Sequence, residues 1–181
     1  MVHRNLASAE ETVKMIKDDG DEAIAIRANV VMKPDVLVMV EKALSTYGNI
    51  DILFNNVGIG WGTDIVDTPE ELWDRTFDVC VKSIFMVSKH VIPEMRKTGG
   101  GVIINSASSS ALIHDAMWAY NSAKAGVIKL TKDMAYEYGR ENIRVNCVVP
   151  GLIDSALGQL RVAGDEKAAA ARAKIVRKLV P

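Results

Sequence analysis

The sequence predicts an α/β fold in which helices pack against a parallel sheet. Two observations carry that expectation. Helical and strand signals alternate along the 181 residues, the mark of strands joined by helical crossovers. The joints are short, about two residues where "ALSTYG" gives way to "DILFNN". The length suits one domain with a sizeable core, and there is no internal repeat or low-complexity linker.

Each element follows from its pattern. "LASAEETVKMIKDDGD" reads as an amphipathic helix with Val13 and Ile16 on one face, ending at the breaker "DDGD". "EAIAIRA" is a short strand. "KPDVLVMVEKALSTYGNI" gives a second helix, striped by Val36, Val40 and Ala43 and stopped at Gly48; "DILFNN" then reads as a buried strand. "DTPEELWDRTF" carries a helix start, with Thr68 as N-cap, Pro69 at the first helical position and Glu71 completing a capping box. That helix should run on through "DVCVKSIFMVSKHVIPEM", kinked near Pro93 and closed by Gly99, Gly100 and Gly101. "GVIINSAS" is the next strand. "AYNSAKAG" opens a helix striped by Val127, Leu130 and Met134 and ending about Gly139, and "NIRVNCVVPG" is the last clear strand. Two further helical patterns finish the chain.

Composition narrows the partners. Acidic and basic residues nearly cancel, 23 against 22, so no basic field awaits nucleic acid and no polybasic segment a membrane. A small neutral or weakly charged ligand fits better. Cys80 and Cys147 stand far apart without metal-ligand spacing, which points to free thiols in a reducing compartment. His3, His90 and His114 likewise lack metal spacing. No apolar run approaches ~20 residues and "MVHRNLASAEE" lacks the apolar core of a signal peptide, so a cytoplasmic protein is expected.

The chemistry concentrates at three strand ends and one helix start. Tyr120 and Lys124 fall on one helical face, where an ammonium near a phenol favours its ionised form. Taken alone, the pair reads equally as a half-buried tyrosine and a solvated lysine on an amphipathic helix. Twelve residues earlier, Ser108 follows a strand, where open parallel sheets gather their ligands. "NNVG" (Asn55, Asn56, Val57, Gly58) ends another strand and "PG" (Pro150, Gly151) a third.

These segments together resemble the short-chain dehydrogenase/reductase family: "NNVG" for its NNAG, "INSAS" for its serine strand, "YNSAK" for its YxxxK, and "RVNCVVPGLIDS" for its RVNxxxPGxxxT. The resemblance covers nearly the whole chain and implies an incomplete doubly wound, Rossmann-like sheet in a single partial domain, 1–181. It implies an NAD- or NADP-dependent oxidoreductase interconverting a secondary alcohol and a ketone. Tyr120 would be the general acid/base, Ser108 the donor to the substrate oxygen, and Lys124 the support of Tyr120 and partner of the nicotinamide ribose. Cofactor contacts would come from Asn55, Asn56 and Gly58 along the adenosine and ribose, and from Pro150, Gly151, Ile153 and Ser155 around the carboxamide. Asn29 would face the adenine amine, or simply cap the next turn. The helices bearing Cys80 and Tyr120 would form a homo-oligomer interface.

The sequence also departs from the family. It begins where the family's second strand ends, without the TGxxxGxG turn that holds the pyrophosphate, and "GIGWG" does not open a helix at the required spacing. Cys80, in "FDVCVKSIF", stands where the family has an asparagine that supports a proton relay; it also reads as a small packing residue. "RKLVP" stops short of a last helix and strand. A non-catalytic relative, acting as an oligomerising subunit or gene fragment, is therefore the alternative. On either reading the chain as given is expected to bind neither NAD nor NADP usefully, "EAIAIRA" should be orphaned from the main sheet in a loosely attached segment, and "DILFNN" should form an open apolar edge.

Overall fold

The computed structural model describes residues 1–62, 64–113, 117–151 and 153. The elements follow in the order β1 (Val2–His3), α1 (Leu6–Asp18), β2 (Ile26–Arg27), α2 (Lys33–Tyr47), β3 (Ile52–Asn55), α3 (Glu70–Phe77), a π-helical turn (Asp78–Lys82), α4 (Ser83–Lys97), β4 (Gly101–Ser106), α5 (Trp118–Tyr138) and β5 (Ile143–Val148). Two 3-10 turns, Ser109–Ala111 and Gly139–Glu141, flank α5. The α/β class and the parallel pairing follow the sequence; the two last helical patterns lie outside the described residues.

Two parallel sheets form. β3, β4 and β5 pair in that order, with Ile52 opposite Val102, and Val102 in turn opposite Arg144. β1 pairs with β2 alone, through Val2 opposite Ile26 and His3 opposite Arg27. The segment "EAIAIRA" is thus orphaned from the main sheet, as expected, and only its last part is extended and paired. It is tied to the rest by side chains. Ala28 and Val30 are buried in the cluster of Val36, Met39, Ile103, Ile143 and Val145, and Val2 and Ile26 pack against its edge.

The helix stripes place the core. Val36 and Val40 are buried as predicted, with Met39 beside them, while Ala43 is only half-buried. On α5, Val127 and Met134 are buried and Leu130 is half-buried. α4 buries Ile84, Val87, Val91, Ile92 and Met95, so the central strand β4 lies under α4 and α5. The chain turns tightly between α4 and β4. A Cβ on Gly100 would stand 2.4 Å from the Asn142 carbonyl oxygen, and φ there is +140°, a backbone that L side chains rarely adopt.

Three local expectations need correction. "DILFNN" is not buried on both faces: β3 is an edge strand whose Ile52 and Phe54 are exposed, since no described helix covers that face. This is the open apolar edge foreseen for the segment. Thr68 is not the N-cap of α3. Its hydroxyl donates to the Asp64 carbonyl at 2.6 Å, and Pro69 takes the cap position, its carbonyl receiving Leu72 and Trp73 N–H. The long helix leaves α geometry at Asp78–Lys82, where Ser83 N–H bonds back to the Asp78 carbonyl, and α4 passes on through Pro93.

Candidate active site

The parallel register assembles the site. Asn55, Asn105 and Cys147 are aligned across β3, β4 and β5, so the three strands end together. Past the strand ends the alignment continues: Ala107 N–H donates to the Val148 carbonyl at 2.8 Å and Ser109 N–H to the Pro150 carbonyl at 2.9 Å. Ser108 and Pro150 therefore share one rim. Ser108 caps the 3-10 turn that follows, its Oγ accepting from Ser110 N–H at 3.2 Å. That bond occupies an acceptor lone pair and leaves the hydroxyl hydrogen to another partner.

Tyr120 and Lys124 sit in the first turns of α5, whose start faces this rim. Both are buried, Lys124 to 2% exposure, so the solvated-lysine reading does not hold. The ammonium lies over the Tyr120 ring, 5.6 Å from its centroid, and donates to the Ser106 carbonyl at 2.6 Å. A cation over a ring face is attracted by the π quadrupole, while the Ser106 carbonyl, at the end of β4, keeps the ammonium from swinging out.

Gly58 completes the floor. A Cβ there would meet Lys124 Nζ at 3.2 Å and Cε at 3.5 Å, so a side chain at this position would press on the lysine. Behind it, Cys80 is fully buried with Tyr120 and Ala123, and its thiol donates to the Ile59 carbonyl at 3.3 Å. The π-helical turn carries Cys80 to this position. Cys80 is thus both the packing residue foreseen and an anchor for the turn after Gly58.

The remaining candidates fall as follows. Asn55 is half-buried and donates from Nδ2 to Asn105 Oδ1 at 2.9 Å; Asn56 is exposed beside it. Asn29 forms its turn through the main chain, its N–H donating to Asp35 at 2.8 Å and its carbonyl accepting from Met32 N–H at 2.9 Å, rather than by a side-chain cap. Pro150, Gly151 and Ile153 lie beyond β5, Ile153 exposed; Ser155 and His114 lie outside the described residues. Sequence reasoning does not single out Asn105 or Thr131, which form a buried polar link between β4 and α5 at 3.0 Å. The available signal was an amide inside the apolar run "GVIINS".

The donor set suits part of a nicotinamide dinucleotide. Buried Lys124 and half-buried Asn55 offer a cation and an amide to a ribose, and the glycine at 58 leaves the lysine its place beside the strand ends. Among the described residues none forms a glycine-rich turn leading into a helix N-terminus at these strand ends. The start of α1 is already capped by Asn5, whose Oδ1 accepts from Ala7 N–H at 3.0 Å. Among the described residues no group of His, Cys, Asp or Glu could hold a metal, and no helix is long and apolar enough to cross a membrane.

A parallel sheet with a tyrosine–lysine pair beside the mouth of its strands has the layout of the doubly wound α/β folds that gather ligands at their strand ends. A family model described as short chain dehydrogenase matches residues 1–166, and the chain belongs to that family. It is 41% identical over 147 residues to an uncharacterized oxidoreductase of Thermotoga maritima, covering 81% of this chain and 58% of that protein. Among solved structures it resembles 3-ketoacyl-(acyl-carrier-protein) reductase from Brucella melitensis complexed with NADH, with a TM-score of 0.82 and 30% identity, covering 94% of this chain and 77% of that one. It also resembles a 7α-hydroxysteroid dehydrogenase complexed with NADH and 7-oxo glycochenodeoxycholic acid, with a TM-score of 0.81 and 35% identity, over 84% of this chain and 60% of that one. The chain spans less than two thirds of the length of the curated relatives it matches.

Proposed function

We propose that this chain carries the acid–base part of an NAD- or NADP-dependent oxidoreductase that interconverts a secondary alcohol and a ketone. The observation that supports it most is the buried Lys124 ammonium held over Tyr120 and anchored to Ser106 beside the strand ends. The nicotinamide, when bound, supplies hydride exchange at the carbonyl carbon. As negative charge builds on the carbonyl oxygen, Tyr120 donates its phenolic proton and the Ser108 hydroxyl stabilises the charge by hydrogen bonding. In the oxidising direction Tyr120 takes the proton back. Lys124 stabilises the phenolate and holds the nicotinamide ribose, while Asn55, Asn56 and Gly58 line the adenosine and ribose. Pro150, Gly151, Ile153 and Ser155 hold the carboxamide.

In this proposal the protein is cytoplasmic, binds a small alcohol or ketone and forms a homo-oligomer through the helices bearing Cys80 and Tyr120. Exposed Phe85 on α4 and Tyr136 on α5 support the last point; a strictly monomeric chain in light scattering at high concentration would count against it.

The test joins the 181-residue chain to a strand, TGxxxGxG turn and helix of the family pattern, and follows NADH and NADPH consumption over a panel of ketones. Turnover is expected, and Tyr120→Phe should lower it about 10²–10⁴-fold. Full activity in that variant would place the acid elsewhere. The second reading, a non-catalytic oligomerising subunit, draws on the lack of a phosphate-holding turn among the described residues; it gains if the joined protein binds cofactor and turns over nothing.

A further inference from the structure

A chain of three side-chain hydrogen bonds runs from the middle of α5 to the end of β3. Thr131 Oγ1 donates to the Val127 carbonyl at 2.7 Å, Asn105 Nδ2 donates to Thr131 Oγ1 at 3.0 Å, and Asn55 Nδ2 donates to Asn105 Oδ1 at 2.9 Å. Asn105 is fully buried and Thr131 nearly so. Given the bond from the Thr131 hydroxyl to Val127, the directions of the other two follow. A hydroxyl has one hydrogen, and a carbonyl only accepts, so the Thr131 hydrogen is committed to Val127 and its oxygen can only receive. Asn105 must then turn its NH₂ to Thr131 and its oxygen to Asn55. Asn55 in turn must bring its NH₂ to Asn105. Reversing either amide would set oxygen against oxygen, or N–H against N–H, in a buried place where a lost hydrogen bond is not replaced by water.

The consequence appears at the rim. Asn55 is half-buried at the strand end, and its Oδ1 has no side-chain hydrogen bond to protein among the described residues. We infer that Thr131 is a positioning residue: through Asn105 it fixes the Asn55 carboxamide so that its acceptor oxygen is offered to a bound ligand. The Asn55 oxygen therefore takes a hydroxyl or N–H donor, such as a ribose hydroxyl. This rests on the proposed role of Asn55 as a ribose contact. Thr131 itself lies two helical turns beyond Lys124 and is a positioning residue, with no contact to ligand.

The test is nitrogen-15 NMR of the side-chain amides of Asn55 and Asn105 in the 181-residue chain, for wild type, T131V and T131S. Thr131→Val keeps the shape and removes the hydroxyl; Thr131→Ser restores it. Wild type and T131S should show slowly exchanging NH₂ groups at both asparagines. In T131V exchange at Asn55 should rise several-fold while the backbone amides of β4 and β5 stay protected. If T131V does not fold, T131C, with a weak thiol donor of similar size, takes its place. Adenosine at tens of millimolar should shift the Asn55 side-chain signals in wild type and T131S, and its 2′,3′-dideoxy form should not. Unchanged exchange at Asn55 in the valine or cysteine variant would overturn the positioning role. Asn55 signals indifferent to adenosine, or equally shifted by the dideoxy form, would overturn the acceptor assignment. Neither readout needs turnover, so an inactive joined protein would defeat the oxidoreductase proposal without imitating either result.

Discussion

The three-stranded sheet and the two-stranded pair answer the same core in different ways. β4 is paired on both sides, and Ile103 at its centre is fully buried beneath α4 and α5. β1 and β2 share two residue pairs; α1 packs on them with Ala9 and Val13, and the unit reaches the rest through Val2, Ile26, Ala28 and Val30. The proposed acid–base residues stand on the first region and Asn29 follows the second. A strand pattern in sequence thus becomes a long strand only where neighbours exist to pair with it. "EAIAIRA" has five apolar residues in seven, yet only Ile26 and Arg27 are paired, opposite the two residues of β1.

That contrast can be broken or sharpened by substitution. The largest effect should come from Ile103→Ala, which removes a fully buried side chain from the central strand; global stability should fall by about 2–5 kcal/mol in urea unfolding. Val13→Ala, on the inner face of α1, should cost only about 1–2 kcal/mol, read as faster hydrogen exchange in α1, β1 and β2 with β4 unchanged. Equal slowing or acceleration in both regions would mean that they open as one unit. Asn5→Ala removes the side-chain acceptor of Ala7 N–H and should cost about 1 kcal/mol, again confined to α1.

The smallest effect concerns the surface pair that joins the end of α4 to the turn before β5. Arg96 holds Glu141 through two hydrogen bonds, and that pairing keeps the Glu141 carboxyl below its ordinary pKa and raises the guanidinium. A lowered carboxylate pKa stabilises the fold above the ordinary carboxyl range and is lost as pH falls through the lowered value. Glu141→Gln should therefore lower Tm slightly at neutral pH and not in strong acid. A difference that grows on acidification would reverse the sign.

Much of this was legible from residue spacing. The stripes of α2 and α5 identified Val36, Val40, Val127 and Met134 as core, and Tyr120 and Lys124 fell on one face because helix geometry requires it. The illegible parts depended on distant partners. Thr68 has the chemistry of an N-cap, but the Asp64 carbonyl claims its hydroxyl. The π-helical turn leaves no local composition signal, and Cys80 gains its role from Ile59, far from it along the chain. Asn105 looked like one residue of a strand; only pairing across β3, β4 and α5 reveals the polar link from Thr131 to Asn55.

The central claim is that the proposed acid–base groups are assembled within this chain while the described residues provide no cradle for the phosphates of the proposed cofactor. Calorimetric titration with NAD of the 181-residue chain, beside the same chain joined to a strand, TGxxxGxG turn and helix of the family pattern, tests it most directly. The joined protein should bind with micromolar affinity, and the chain alone should give no heat at millimolar cofactor. Micromolar binding by the 181-residue chain alone would contradict the account.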